Sequence, residues 1–347
     1  MTVRLMITAA GGALSCQTIA YAKASARYTI EVLAVDMADT ALGRYAADHF
    51  ATVPHGASDG YVDRICALVA DYGIDLVLPC SDEEALALAA ERARLEALGS
   101  TLACADIETL RVMGDKSRAY RTLAAHGLPA PAFRLAETPA ALAAATEAFQ
   151  AERGAFVVKP PAGSRGGRDT IIVHGGVAGA RPYSGGRELE MDYDTFRREF
   201  LAAAAGRLPA LVCERLVPPA YDVDVLARDG RALRAVPRRR LNPAGVPYRG
   251  YVVEDRPDLV ALAAATAEAL ALSWLYDFDV MQTLDGRPAI LELNPRPSGS
   301  FATSIAAGVP LIDDLVALAK GEPLSDAGPL PSALTVVPQT MLKVIAA

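Results

Sequence analysis

The stretch FDVMQTLDGRPAILELNPR, residues 278–296, decides the fold of the second half of the chain. Two largely apolar runs flank the pair Asp285-Gly286, a pattern that predicts an antiparallel hairpin with a tight turn. Such a hairpin brings Asp279 opposite the region of Glu292, and Glu292 and Asn294 project from one face of their strand because they are two residues apart. These are hard oxygen ligands of the kind that Mg²⁺ takes beside nucleotide phosphates. The alternative is a surface hairpin, but Glu292 lies inside an apolar run, where an unpaired carboxylate is costly to bury, and this favours a metal site.

The composition bounds the possible classes of protein. The chain has 347 residues, which suggests two or three domains. Apolar residues make up 52% and charged residues 22%, so a largely disordered chain is excluded. The net charge of -7 argues against a general nucleic-acid binder, which normally shows a basic surface.

The cysteines, the histidines and the N-terminus indicate a soluble cytoplasmic protein. The five cysteines are scattered and form no C-x-x-C pair, as expected for reduced thiols. The four histidines show no metal-ligand spacing. The opening MTVRLMITAAGG is broken by glycine too early for a signal peptide, and no apolar stretch predicts a membrane span.

The first part of the chain, residues 1–112, alternates strand and helix patterns. This alternation predicts a parallel sheet with helices on both faces, in the α/β class. Gly11 and Gly12 follow the first strand and could belong to a dinucleotide site. Because G-x-G-x-x-G is absent, a tight turn between strand and helix is the favoured interpretation.

Beyond residue 112 the pattern changes to an α+β arrangement in two further parts. Residues 113–210 contain two predicted strands around a glycine-rich loop. Residues 211–347 contain several strands, a helix at 257–273 and the hairpin, and the last 25 residues, rich in Pro and Gly, are expected to form a loosely packed tail.

The glycine-rich loop is a candidate phosphate site. Lys159 stands at a strand end before the loop residues Gly163, Ser164, Arg165 and Gly166, and backbone amides together with a cation can cradle phosphate oxygens. The segment is not a Walker P-loop, because the lysine precedes the glycines. Only five of the 34 basic residues are lysine, so the position of Lys159 is informative.

Two predicted strands carry further polar residues. Asp222 and Asp224 alternate with apolar neighbours, which fits either a half-exposed strand or a functional polar face. Arg238 and Arg240 share a strand face while Arg239 points away, and a pair of guanidiniums suits carboxylate or phosphate binding. An ordinary surface charge run is the alternative for the arginines.

Taken in order, these motifs resemble the ATP-grasp superfamily, most closely the carbamoyl-phosphate-synthase-like ligases and the lysine ligase of pyrrolysine biosynthesis. The resemblance runs through P-x-x-D-E at 79–83, D-K … H-G-L-P-A-P at 115–131, V-V-K-P … G-S-R-G at 157–166, C-E-R-L … Y-D-V-D-V at 213–225, P-R-R-R at 237–240 and D-V-M … D-G … L-E-L-N-P-R at 279–296. It implies a pre-ATP-grasp domain over residues 1–112 and a two-lobed ATP-grasp fold, with the small lobe at 113–210 and the large lobe at 211–347.

The resemblance also implies roles for individual residues. Lys116, Lys159 and the loop residues would contact the ATP phosphates, and Glu214, Arg215 and Leu216 would form the adenine hinge. Asp279, Glu292 and Asn294 would hold Mg²⁺, with Mn²⁺ as an alternative ion. Arg296, Arg240 and Arg238 would meet the transferred phosphate or the substrate carboxylate.

Two departures from the family pattern stand out. Ala220 occupies the position where related proteins usually carry a ribose-binding glutamate. Another acid, such as Asp222, would then take over, or the contact with ribose would be weaker. The loop at 160–168 is also shorter than in related proteins.

The expected activity is ATP-dependent ligation of a carboxylate to an amine through an acylphosphate. A nucleotide-binding regulatory protein with little turnover is the alternative. A bicarbonate-dependent carboxylase is less favoured because no biotinyl-lysine motif occurs, and carbamoyl phosphate synthesis needs two ATP-grasp halves. We expect small-molecule substrates, no nucleic-acid or membrane partner, and a chain that could form a homodimer. Asp82, Glu83 or Glu84, which follow a strand end, would suit an amine substrate.

Overall fold

Three β-sheets organise the part of the chain that the structure describes. The structure is a computed structural model that describes residues 2–163, 169–182, 188–242, 249–326 and 328–339. Within these ranges the sheets have five, six and six strands. Among the described residues, no helix is long and apolar enough to cross a membrane. The helices are α1 Ser15–Lys23, α2 Tyr61–Tyr72, α3 Asp82–Ala90, α4 Arg92–Ala97, α5 Ile107–Gly114, α6 Lys116–Ala125, α7 Pro139–Arg153, α8 Tyr193–Thr195, α9 Leu201–Ala205, α10 Pro257–Ala269, α11 Ala302–Ala306 and α12 Leu311–Lys320, with a 3₁₀ turn at Leu42–Tyr45 and a π-helical turn at Phe196–Phe200.

The first sheet is parallel, which confirms the α/β prediction for the N-terminal part. Its strands are β1 Thr2–Ile7, β2 Thr29–Asp36, β3 His49–Thr52, β4 Leu76–Leu78 and β5 Thr101–Leu102, in the order β3-β2-β1-β4-β5. Alternate residues of β1 and β2 enter two different hydrophobic clusters, so both faces of the sheet are covered. At the end of β1, the Gly11 amide donates to Asp36 Oδ2 at 2.6 Å, and the two glycines form the predicted tight turn.

The second sheet lies mostly in the segment that the resemblance assigns to the small lobe. Its strands are β6 Phe133–Ala136, β7 Ala155–Lys159, β8 Thr170–His174, β9 Ala180–Pro182, β10 Glu188–Met191 and β11 Ala210–Glu214, in the order β6-β11-β7-β8-β10-β9. The predicted strands on either side of the glycine-rich loop are β7 and β8, which pair antiparallel. Strand β11, at the predicted boundary between the two lobes, pairs antiparallel with β6 and β7 of this sheet.

The third sheet is antiparallel and contains the predicted hairpin. Its strands are β12 Val217–Arg228, β13 Arg231–Arg240, β14 Tyr251–Val253, β15 Trp274–Gln282, β16 Pro288–Asn294 and β17 Leu334–Val336, in the order β16-β15-β12-β13-β14-β17. Strands β15 and β16 are joined through the turn at Asp285-Gly286, where Gly286 has a φ of +83°.

The prediction of a loosely packed C-terminal tail is wrong for the segment that reaches Val336. Strand β17 pairs antiparallel with β14, with Val336 opposite Tyr251. The amide of Ser325 donates to Asp314 Oδ1 at 2.7 Å, which holds the approach to β17 against α12. Residues 334–336 are ordered because β14 offers an unpaired strand edge that a short segment can complete.

Candidate functional site

The β15–β16 hairpin places oxygen ligands in two adjacent cross-strand pairs. Asp279 lies opposite Glu292, and Asp277 lies opposite Asn294. Asn294 Nδ2 donates to Asp277 Oδ2 at 3.1 Å and lies 3.4 Å from Asp279 Oδ1. The structure therefore brings together the three predicted ligands and adds Asp277, because residues two apart on each strand share a face.

A neighbouring strand adds another carboxylate to this face. Asp222 of β12 lies opposite Asp279, and ligand oxygens of Asp222, Asp277 and Asp279 lie within 4.8 Å of one another. Burial, together with the charge of Asp222, raises the pKa of Asp277 and raises that of Asp279 to about 6. Among the described residues, Asp277 Oδ1 is buried without a hydrogen-bond partner, and Arg238 Nη2 lies 3.9 Å from it. Crowded carboxylates and an unsatisfied oxygen fit a divalent cation such as Mg²⁺ at this place.

Arg240 partly neutralises these carboxylates. It forms an ion pair with Asp222, and its Nη2 lies 2.9 Å from Asp279 Oδ2. Burial alone would raise the pKa of Asp222, but Arg240 and Arg238 more than offset it, so the pKa is lowered. Asp222 is 3% exposed, and its carboxylate is paired with Arg240. The structure therefore does not make Asp222 available to a nucleotide ribose, contrary to the expectation for this residue.

Arg238 departs from the prediction that both arginines of this strand face meet a substrate. Its side chain is fully buried, and Nη2 donates to Asp224 Oδ1 at 2.8 Å. Nη1 donates to Ser300 Oγ at 2.8 Å and to Thr303 Oγ1 at 3.0 Å. These contacts tie β13 to the segment around α11 beneath the site. Arg239 points to the other face, as predicted, and pairs with a different acid.

The two lysines lie against the hairpin. Lys116 Nζ lies 2.8 Å from Glu292 Oε1, and this lysine lowers the pKa of Glu292 against the opposing effect of burial. Lys159 Nζ donates to Tyr120 Oη at 2.9 Å. Tyr120 Oη in turn donates to the carbonyl of Leu291 at 2.6 Å, so α6 and β7 present both ammonium groups beside the metal-ligand face.

Arg296 connects the hairpin with the N-terminal sheet. Its Nε donates to Asp82 Oδ1 at 3.0 Å, and its Nη2 donates to Asn294 Oδ1 at 3.3 Å. Of the three acids expected at this strand end, Asp82 thus reaches the site. Glu84 is 6% exposed and accepts a hydrogen bond from Thr8 Oγ1 at 2.6 Å, so it is turned into the N-terminal domain.

The predicted adenine hinge joins the second and third sheets. Glu214 ends β11, and its carboxylate accepts hydrogen bonds from the amide of Ala132 at 3.1 Å and from Arg153 Nη1 at 2.9 Å. Arg215 and Leu216 connect it to β12. Leu216 is 8% exposed, and Ala220, at 2%, offers no polar group for a ribose.

The phosphate loop is described only at its start. Gly163 has a φ of +74°, a conformation that favours glycine, whereas Ser164, Arg165 and Gly166 lie outside the described residues.

Sequence reasoning missed two residues of the site. Asp277 stands two residues before Asp279 and could have been found from the same alternation that pointed to Glu292 and Asn294. Tyr120 stands four residues after Lys116 and therefore on the same helix face, but an aromatic residue in that position is more often simply part of a core.

Two family models match the chain. Residues 5–103 match the PylC-like N-terminal domain, and residues 207–341 match a domain described as ATP-grasp in the biosynthetic pathway with Ter operon. No curated protein sequence shows significant similarity to the chain.

Solved structures share the fold at low sequence identity. An L-amino acid ligase from Bacillus licheniformis is 14% identical, with a TM-score of 0.65 over 92% of this chain and 74% of that one. An N5-carboxyaminoimidazole synthetase from Staphylococcus aureus, complexed with ADP, is 13% identical, with a TM-score of 0.69 over 94% and 80%. The biotin carboxylase domain of a Hydrogenobacter thermophilus 2-oxoglutarate carboxylase, in complex with MgADP and bicarbonate, is 18% identical, with a TM-score of 0.67 over 93% and 71%.

Proposed function

We propose that this chain, which joins a PylC-like N-terminal domain to an ATP-grasp domain, is an ATP-dependent carboxylate–amine ligase. It forms an amide through an acylphosphate and releases ADP and phosphate. The observation that carries this proposal is the placement of Lys116 and Lys159 against a hairpin whose oxygen ligands suit Mg²⁺. The fold neighbours support it, since they include an L-amino acid ligase and ADP complexes.

The residues of the chain supply charge where phosphoryl transfer needs it. Lys116 and Lys159 bind phosphate oxygens of ATP, and Arg240 binds the phosphoryl group in transfer. Asp279, Glu292 and Asn294 would hold Mg²⁺, or Mn²⁺, which when bound screens the negative charge of the phosphates.

Arg296 binds the substrate carboxylate, because its guanidinium lies at the junction between the hairpin and the N-terminal domain. A carboxylate oxygen attacks the γ-phosphorus, and the bond from that phosphorus to the ADP oxygen breaks. The nitrogen of an amine then attacks the acyl carbon, and phosphate leaves. The protein needs no covalent nucleophile for either step.

A nucleotide-binding regulatory protein is the second candidate, and Ala220 is the residue that favours it. The position lacks the acid that would hold a ribose, and Asp222 is occupied by Arg240. Weaker ribose contact would lower the affinity for ATP without removing the groups that act on its phosphates. We therefore favour the ligase.

The test is ADP formation by the full chain with MgATP and pooled L-amino acids, followed by mass spectrometry of the product. We expect ADP to appear only when the pool is present, together with a new amide. ADP formation that is equal with and without the pool, or nucleotide binding without turnover, would contradict the proposal.

A further inference from the structure

The sheet of the small lobe has one face on the hydrophobic core of the lobe. Its opposite face carries a carboxylate that has no role in the proposed ligase reaction. Leu189 and Met191 of β10 pack into the hydrophobic core of this lobe, so Glu188 and Glu190 project from the opposite face. In β7, Phe156 and Val158 pack into the same core. Lys159 therefore lies on the face that Glu188 shares, with β8 between the two strands.

The two glutamates of β10 differ in their partners. Glu190 Oε1 accepts from Arg181 Nε at 2.7 Å, and its Oε2 lies 3.1 Å from His174 Nε2, so its charge is matched within the lobe. Glu188 is half-buried and has no hydrogen bond or ion pair with any other described residue. A desolvated carboxylate without a partner is costly unless a ligand supplies one.

The surroundings of Glu188 identify the kind of ligand. Burial raises the pKa of Glu188, while the charges of Lys159 and Arg240 act in the opposite direction, so both cations are within electrostatic reach of its carboxylate. These two cations already have partners, Tyr120 for the lysine and Asp222 and Asp279 for the arginine. A further carboxylate beside the groups that bind ATP would repel phosphate and a substrate carboxylate. It would attract a cation that arrives with the substrates.

We propose that Glu188 binds the ammonium group of the amine substrate and accepts its proton. This assignment rests on the proposed ligase function and deepens it, since it makes the second substrate a primary or secondary amine that is protonated in solution. A protonated amine has no lone pair to attack with, so a proton acceptor must act before the carbon–nitrogen bond forms.

The chemistry balances without a further reactant. One proton moves from the ammonium nitrogen to the Glu188 carboxylate, and the freed lone pair forms a bond to the acyl carbon. The bond between that carbon and the phosphate oxygen breaks, and phosphate leaves with the electron pair. The second proton that the nitrogen loses as the amide forms passes to the departing phosphate. A positioned base contributes about 10²- to 10⁴-fold to such a step.

The experiment that tests this assignment separates the formation of the acylphosphate from its reaction with the amine. Hydroxylamine is largely uncharged at neutral pH and traps an acylphosphate as a hydroxamate, so its reaction needs no protein base. Three proteins are compared: the wild type, Glu188→Gln and the control Glu199→Gln. Glu199 is an exposed glutamate of the same lobe. Each protein is supplied with MgATP and pooled L-amino acids. One reaction contains excess hydroxylamine and is assayed for hydroxamate, and the other contains none and is assayed for amide.

We expect Glu188→Gln to keep hydroxamate formation near the wild-type rate and to lose amide formation by about 100-fold or more. Hydroxamate formation also shows that the variant is folded. Equal loss of both products, or of neither, overturns the role of Glu188 while leaving the ligase function in place. A wild-type protein that forms no hydroxamate and no amide overturns the ligase function, and this assignment with it.

Discussion

Replacing Arg238 with methionine is expected to destabilise the fold far more than the same change at Arg239, the next residue along β13. The Arg238 guanidinium is fully buried and pairs with Asp224, whose side chain is also fully buried. Methionine fills most of the volume but leaves the Asp224 carboxylate without its counter-ion. Breaking a buried pair by removing one partner costs about 3–5 kcal/mol.

The matched control lies on the opposite face of the same strand. Arg239 pairs with Glu254 near the surface, where the Arg239 side chain is 36% exposed. Solvent screens such a pair, so Arg239→Met is expected to cost less than about 1 kcal/mol. The assay is the urea midpoint of each variant, multiplied by a common slope to give the change in free energy of unfolding.

The dependence on pH provides a second readout. Arg238 lowers the pKa of Asp224, which burial raises. Removing Arg238 raises the pKa of folded Asp224 further, whereas the unfolded value stays at about 3.9. An acid whose folded pKa is raised costs stability as the pH rises above its unfolded pKa, so the deficit of Arg238→Met should be larger at pH 8 than at pH 5. A loss no greater than that of Arg239→Met, independent of pH, would refute the reasoning.

The remaining predictions concern the ligands, a lysine partner and the tail. Glu292→Gln should shift the Mg²⁺ dependence of ADP formation about 10- to 100-fold to higher concentration, and an unchanged Mg²⁺ titration would contradict the assignment. Tyr120→Phe removes the oxygen that accepts from Lys159, so it should raise the KM for ATP and cost about 1 kcal/mol in urea unfolding; an unchanged KM would show that this contact does not orient the lysine. Gly250→Ala should destabilise by about 1–3 kcal/mol, because Gly250 has a φ of +108° and a Cβ there would lie 2.6 Å from the carbonyl oxygen of Val336. Gly114→Ala, with no atom within 4 Å of its added Cβ, is the control, and equal midpoints for the two variants would count against the tight β14–β17 contact.

Features that depend on neighbouring residues could be predicted from the sequence. The hairpin, its turn and the pairing of Asp279 with Glu292 follow from two strands joined by a few residues, since the turn sets which side chains face each other. The alternation of Arg238 and Arg239 to opposite faces of β13 follows in the same way.

Features that depend on distant residues could not be predicted. Arg296 donates to Asp82, which is 214 positions away, and no local pattern indicates that this strand end reaches the hairpin. The pairing of β17 with β14 escaped prediction because the composition of the tail suggests a loop, whereas the exposed strand edge that orders it is formed elsewhere. Glu188 was not a candidate, because β10 has only four residues and its alternation of polar and apolar side chains is too short to stand out. The position of Glu188 becomes informative only when the sheet places it on the same face as Lys159.

The sequence by itself determined the alternation of strands and helices in the N-terminal part, the hairpin and the set of residue types that could bind phosphate and metal. Only the tertiary structure decided which of them face the site. Arg238 and Arg240 share one strand face, yet the segment around α11 covers the first and leaves the second partly exposed beside the carboxylates. Alternation along a strand is a local property of the backbone, whereas burial depends on elements that pack against it from elsewhere in the chain.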